Sequence, residues 1–369
     1  MKKKILAGIL SAFMLLSSAC SGDNSSIGEV SETTLTKENI KAGFVYTGSI
    51  DDKSYTQAHD EGRKALNDMG IQTEYVENVP ANEDSVNAII DLIEKGCNVI
   101  YTTSSEYDEY TKIAADQYPE VIFNNCSGDI TSDNLGIYSA RTYEARYILG
   151  IVAAMNSKTK KIGYIAPKPI PEVIRDINAF TLGVRSVSEE ASVEVVFTDT
   201  WNDEIIEKTA VLTLISDGKN IDVIASQQNS LAVQKFAEEK GVLSIGNNYS
   251  TSDTAPKSYL TASVYNWSEF YVRSINSIIN DEWSNKTYWE GLSSGIVDID
   301  DLTNINAENV SEKVKEVKEK IKAGELNIFS GEIYDQYGNI IVEKDDVLSD
   351  DEIWQMNWFV NGVVGKIAE

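Results

Sequence analysis

The residues best suited to chemistry gather in six short loops, each following an apolar run. They are Gly48 to Tyr55 (GSIDDKSY), Ser104 to Asp108 (SSEYD), Pro167 to Pro171 (PKPIP), Asp199 to Asp203 (DTWND), Ser226 to Ser230 (SQQNS) and Gly246 to Ser250 (GNNYS). Aromatics, amides, hydroxyls and a few acids collect there. An aromatic face stacks on a flat ring while convergent amides hydrogen-bond its edge, so the set suits a flat, polar heterocycle. Hydrolysis would need clustered acids, a metal or a histidine-based triad. The chain has one histidine, His59. It lies one helical turn after Tyr55, on the same face, and reads as a packing or supporting residue. The acid pairs Asp300-Asp301, Asp345-Asp346 and Asp350-Asp351 lack the spacing of a calcium loop and read as solvated. No metal, no cofactor and no enzymatic activity are expected, a nucleoside hydrolase being the enzyme alternative.

Those loops need a scaffold that brings them together. Strands are predicted at 41–47, 72–77, 98–103, 120–124 and 135–138, with helices at 54–69, 83–95 and 107–117 between them. After a helix at 142–156 the rhythm restarts, with strands at 161–166, 193–198, 221–225, 242–246 and 259–264. Helices at 171–187, 203–217, 230–239 and 268–280 separate or follow them. Strands alternating with helices of this length make βαβ units and parallel sheets. Two such runs predict an α/β protein of two Rossmann-like lobes joined by a hinge. Ligands of open parallel sheets bind outside the carboxyl ends of the strands, where the six loops lie. The tail adds a charged helix at 308–323, a hairpin around Tyr337-Gly338-Asn339 and a short helix at 349–356.

Composition narrows the partners. The 369 residues carry 32 Lys+Arg against 58 Asp+Glu, a net charge of −26. So acidic a chain repels phosphate backbones and excludes nucleic acid as a partner. The start, MKKKILAGILSAFMLLSSAC, has a basic head, an apolar run too short for a comfortable span, and small residues before Cys20. That is the layout of a secretory signal. Its end resembles a lipobox, with Leu16 one residue further from the cysteine than usual; cleavage as an ordinary secreted protein is the alternative. When the leader leaves, Lys2, Lys3 and Lys4 leave with it and the charge becomes more negative still. The polar stretch after Cys20 reads as a flexible tether to a membrane. Cys97 precedes one strand and Cys126 follows its neighbour, so both thiols are expected to be free.

Several stretches carry a resemblance to a known family: GFVYTGSIDDKSYTQAHDEGRKAL, EYVENVPANEDS, YEARYILGIVAA, KIGYIAPKPIPEVIRDINAFTLGVRSV, TDTWND and NIFSGEIYDQYGNI. The chain resembles the basic membrane protein family of ABC-transporter substrate-binding lipoproteins, receptors for purine nucleosides and nucleobases. The resemblance runs from residue 40 to the end, and PIPEVIRDINAFTLG is most similar to the subgroup associated with adenine-like bases. It implies a type I periplasmic-binding-protein fold, a monomeric receptor held outside the cell membrane by lipidated Cys20, and ABC permease and ATPase subunits as partners. By position, Tyr55 and Trp201 would clamp a purine between the lobes, and Asp52 would accept hydrogen bonds from its nitrogens. Ser54, Tyr107, Asn178, Gln228 and Asn248 complete the expected ligand set.

The departures matter too. Nucleoside-binding members are expected to carry acids in the loop that here reads GNNYST, with none before Asp253. Losing acids that hold a ribose favours a free base over a nucleoside. A ligand-sensing lipoprotein in a signalling pathway is the alternative use of the same fold. The expected organisation is a signal peptide at 1–19, lipidated cysteine and tether at 20–39, a first lobe at 40–142 with about 268–300 crossing back to it, a second lobe at 143–267, and the tail at 301–369. Local roles compete with binding at several positions. Asp51 and Asp52 are placed to cap the helix at 54–69, Tyr55 could be a core aromatic, Pro169 and Pro171 shape their loop, and Trp267 reads as structural.

Overall fold

The computed structural model describes residues 35–367 apart from Asp217; the expected signal peptide, Cys20 and most of the expected tether lie outside the described residues. The chain runs β1 (Lys41–Val45), α1 (Tyr55–Asp68), β2 (Gln72–Val76), α2 (Glu83–Glu94), β3 (Val99–Thr102), α3 (Asp108–Gln117), β4 (Ile122–Cys126), β5 (Leu135–Ala140) and α4 (Thr142–Asn156). It continues β6 (Lys161–Ala166), α5 (Pro171–Val187), β7 (Ser192–Phe197), α6 (Glu204–Leu214), β8 (Val223–Ser226), α7 (Ala232–Glu239), β9 (Leu243–Gly246) and β10 (Tyr259–Tyr265). The remainder is α8 (Ser268–Ile279), β11 (Tyr288–Glu290), β12 (Val297–Ile299), α9 (Val310–Lys322), β13 (Ile333–Tyr334), β14 (Ile340–Val342), α10 (Asp350–Trp354) and β15 (Val363–Val364).

Two sheets result, ordered β11-β5-β4-β3-β1-β2 and β12-β10-β9-β8-β6-β7-β15. Every pairing within them is parallel except β10 with β12. The fold is α/β with two parallel-sheet lobes. The central strands β1, β3 and β8 are buried almost throughout, as expected of strands covered by helices on both faces.

The chain passes between the sheets three times: after β5, after β10, and between β11 and β12. The stretch returning to the first sheet is α8, packed on α1, together with β11; Val297–Ile299 already belongs to the second sheet. Arg141 braces two of these crossings. Its backbone N–H donates to the Glu290 carbonyl at 2.8 Å and its Nε to the Trp289 carbonyl at 2.9 Å. It also ion-pairs with Asp350 of α10 at 2.6 Å. The short strands β11, β12 and β15 were not anticipated, since two or three residues carry no periodicity.

Local chemistry explains where the elements start and stop. Asn82 caps α2 by accepting from the Asp84 N–H at 2.8 Å, and Gly96, at φ +91°, lets the chain leave that helix. Pro171 opens α5 at a position where its missing N–H costs nothing. Helices α4 and α5 press together unusually closely: a Cβ at Gly150 would collide with the Phe180 carbonyl oxygen, and one at Gly183 with that of Tyr147. That contact anchors the second lobe's core and fixes what α5 presents at its first turn. Among the described residues no helix is long and apolar enough to cross a membrane.

Candidate functional site

A cavity of about 400 Å³ lies between the lobes at the carboxyl ends of the strands, within the range of small-molecule sites. Tyr55 and Trp201 line it from opposite lobes, with Asp52, Ser127, Glu172, Gln227, Asn229, Asn247, Asn248 and Tyr265 among the other lining residues.

In the first lobe, the turn after β1 delivers Asp52 and Tyr55. Asp52 Oδ1 accepts from the N–H groups of Ser54 and Gln57 at 2.7 and 3.0 Å, and its Oδ2 from that of Thr56 at 2.8 Å. Its carboxylate thus closes the start of α1 while facing the cavity. Tyr55 is held by aromatic neighbours: His59 meets it T-shaped at 4.6 Å and Tyr265 at 6.3 Å. Its hydroxyl lies 3.4 Å from Cys126 Sγ. Beneath it Trp267 stacks on His59 at 4.3 Å and on Tyr265 at 4.8 Å. Burial holds His59 well below the usual histidine range, so its ring is neutral, paired through Nδ1 with the Tyr271 hydroxyl at 2.6 Å. Trp267 and His59 are supports, as their sequence contexts suggested.

In the second lobe a buried polar network sets the floor. Arg146 of α4 donates to Asn247 Oδ1 at 2.5 Å and the Ser226 carbonyl at 3.1 Å, and approaches Asp176 of α5 at 3.4 Å. Asp176 also accepts from Thr142 Oγ1 at 2.8 Å and Gln227 Nε2 at 2.9 Å, and Gln227 Oε1 accepts from the Tyr164 hydroxyl at 2.8 Å. A buried charge is tolerable only when paired and hydrogen-bonded. Here those bonds orient the cavity-lining amides Gln227 and Asn247. Asn248, at φ +67°, spans the cleft: its Nδ2 donates to Asn229 Oδ1 at 2.7 Å and to Ser54 Oγ of the other lobe at 3.1 Å.

Of the residues singled out in the sequence, Tyr55, Trp201, Asp52 and Asn248 line the cavity, and Ser54 touches Asn248. Ser54 does not itself line it, and the other three lie away from it. Tyr107 is buried between the first sheet and its helices, its hydroxyl donating to the Val79 carbonyl at 2.6 Å. Asn178 pins the tail, donating to the Trp358 carbonyl at 2.7 Å and accepting from the Val360 N–H at 2.9 Å. Gln228 turns away from the cavity to donate to Thr198 Oγ1 at 2.9 Å; its neighbour Gln227 faces the ligand space instead. The sequence reading missed Glu172, Ser127 and Tyr265. Gln227, Asn229 and Asn247 sit in loops it had marked, one residue from those chosen. The loop from Gly246 to Ser250 brings no acid to the cavity, and Asp253 pairs with Lys53 at 3.6 Å. Cys97 and Cys126 are free and buried.

Two parallel-sheet lobes closing on a cavity of aromatics and strand-end amides define a two-lobed solute-binding protein. More particularly, the chain matches the family described as ABC transporter substrate-binding protein PnrA-like over residues 39–331, and it belongs to that family. Such proteins bind small molecules outside the cytoplasm and work with the permease components of ABC importers. Over 90% of its length the chain is 34% identical to a purine-binding protein of Brucella abortus, covering 95% of that protein. It is 32% identical, over 89% of its length and 82% of the relative's, to a provisionally named ABC transporter glucose-binding protein of Haloferax volcanii. A solved solute-binding protein of an ABC transporter system from Conexibacter woesei shares the fold, with a TM-score of 0.66 at 16% identity, covering 78% of this chain and 98% of that one.

Proposed function

We propose that this protein captures a purine, an adenine-like base in preference to a nucleoside, between its closing lobes and delivers it to a membrane permease. The observation that carries this reading is the cavity itself, lined by Tyr55 from one lobe, Trp201 from the other and the amides Gln227, Asn229, Asn247 and Asn248. Stacking between an aromatic ring and a base contributes roughly 1–3 kcal/mol per base, and two rings can hold both faces of one purine. The absence of a lining acid from the Gly246–Ser250 loop favours a base over a ribose-bearing ligand. Lipidation at Cys20, a monomeric state and partnership with a permease and ATPase pair belong to the same proposal. Transfer of the protein from the detergent phase to the aqueous phase in Cys20→Ser would support the anchor.

The relative named for glucose supplies the second reading. Mass spectrometry of small molecules released from purified protein, then calorimetry with adenine, guanine, hypoxanthine, their nucleosides and glucose, separates the two. Tyr55→Ala and Trp201→Ala should each weaken purine binding by roughly tenfold or more. Glucose binding tighter than any purine, or unchanged purine affinity in both variants, would sink the proposal.

A further inference from the structure

Three acids face the cavity, and two of them are occupied. Asp52 receives three backbone N–H groups of α1, and Glu106 pairs with Lys168 across the cleft. Glu172, in the first turn of α5, has no ion pair among the described residues. Its polar partner is the Ser127 hydroxyl of the opposite lobe. It stands close enough to Tyr55, Tyr265 and Cys126 for its charge to act on all three. It therefore lines the cavity beside the aromatic residues Tyr55 and Tyr265. Asp176, one turn further along α5, takes Arg146, Thr142 and Gln227 as its direct partners, so Arg146 acts on Glu172 only through its charge.

Building on the purine reading, we propose that Glu172 is the specificity-determining residue, making a two-point pair with an amidine-type edge of the base, a ring nitrogen beside an exocyclic amine. In that pair the carboxyl O–H donates to the ring nitrogen and the carboxyl carbonyl oxygen accepts from the amine. No net charge is buried, and both polar groups of a desolvated edge are satisfied. Burial raises the proton affinity of Glu172, against the pull of the Arg175 guanidinium and the Ser127 hydrogen bond, which favours the neutral acid that this pairing requires.

Calorimetry with adenine and N6,N6-dimethyladenine on wild type, Glu172→Ala and Glu172→Gln tests this. Dimethylation removes the amine donor and leaves the ring nitrogens and the stacking face. Expected is adenine affinity falling at least roughly tenfold in Glu172→Ala. Glu172→Gln, which presents the same donor and acceptor, should stay within about threefold of wild type, and dimethyladenine, which keeps only the ring-nitrogen bond, should lose clearly less affinity than adenine in Glu172→Ala. An equal loss for adenine and dimethyladenine would mean that Glu172 only shapes the cavity, and no loss would equally overturn the assignment. If wild type bound no purine at all, the purine reading itself would fall and this assignment with it.

Discussion

Glu207 shows how one residue can brace a site without touching ligand. It sits on α6, with Oε2 accepting from the Ser230 hydroxyl and Oε1 from the Asp203 N–H at 3.2 Å. It thereby ties the loop bearing Trp201 to the loop bearing Gln227 and Asn229. Burial pushes its carboxyl up to about 7 from 4.5, opposed by the Ser230 hydrogen bond. The folded protein holds that proton where the unfolded chain has released it. Its stabilising contribution is therefore full below pH 4.5 and is lost as pH rises through about 7. In Glu207→Gln the dependence disappears. Urea denaturation from about pH 5 to about pH 8 should show wild type losing up to roughly 3 kcal/mol relative to the variant. Parallel curves would show that Glu207 does not titrate in this window.

At the scale of elements, the contact between α4 and α5 matters most. Gly183→Ala places a methyl group against the Tyr147 carbonyl, and Gly150→Ala does the same at Phe180. Neither backbone can yield without moving α5, which carries Glu172 and Asp176. Gly183→Ala should cost about 1–3 kcal/mol in chemical denaturation and also weaken ligand binding. A stability change under about 0.5 kcal/mol would show that the helices can separate freely. The helices and long strands were legible in the sequence because hydrophobic periodicity and caps mark them: Gly96 ends α2 and Pro171 begins α5. β11, β12 and β15 were not, since Tyr288–Glu290 becomes a strand only through pairing with β5. The site was legible at the level of loops but not of side chains. Whether Gln227 or Gln228 faces the cavity depends on the pleat at the end of β8 and on bonds to Asp176 and Thr198. Glu172 went unseen because nothing local distinguishes a cavity acid from an ordinary first-turn glutamate.

Across the whole molecule, charged and polar contacts bridge the cleft. Lys168 meets Glu106, Lys53 meets Asp253, Asn248 meets Ser54, and Trp354 Nε1 donates to Asp129 Oδ1 at 2.8 Å. Exposed ion pairs contribute about 0.2–1 kcal/mol each and are screened by salt, so they bias the closed state without locking it. Lys168→Ala should lower ligand affinity roughly two- to fivefold, with little change in melting temperature and a weaker dependence on salt. An affinity equal to wild type would remove this pair from the account of closure. The three passages between the sheets have a mechanical meaning of their own. Two bodies joined by one strand can twist, slide and swing. Joined by three adjacent tethers, with Arg141 cross-linking two of them, they retain one easy coordinate, the opening angle. A membrane partner reading this receptor then has one number to measure.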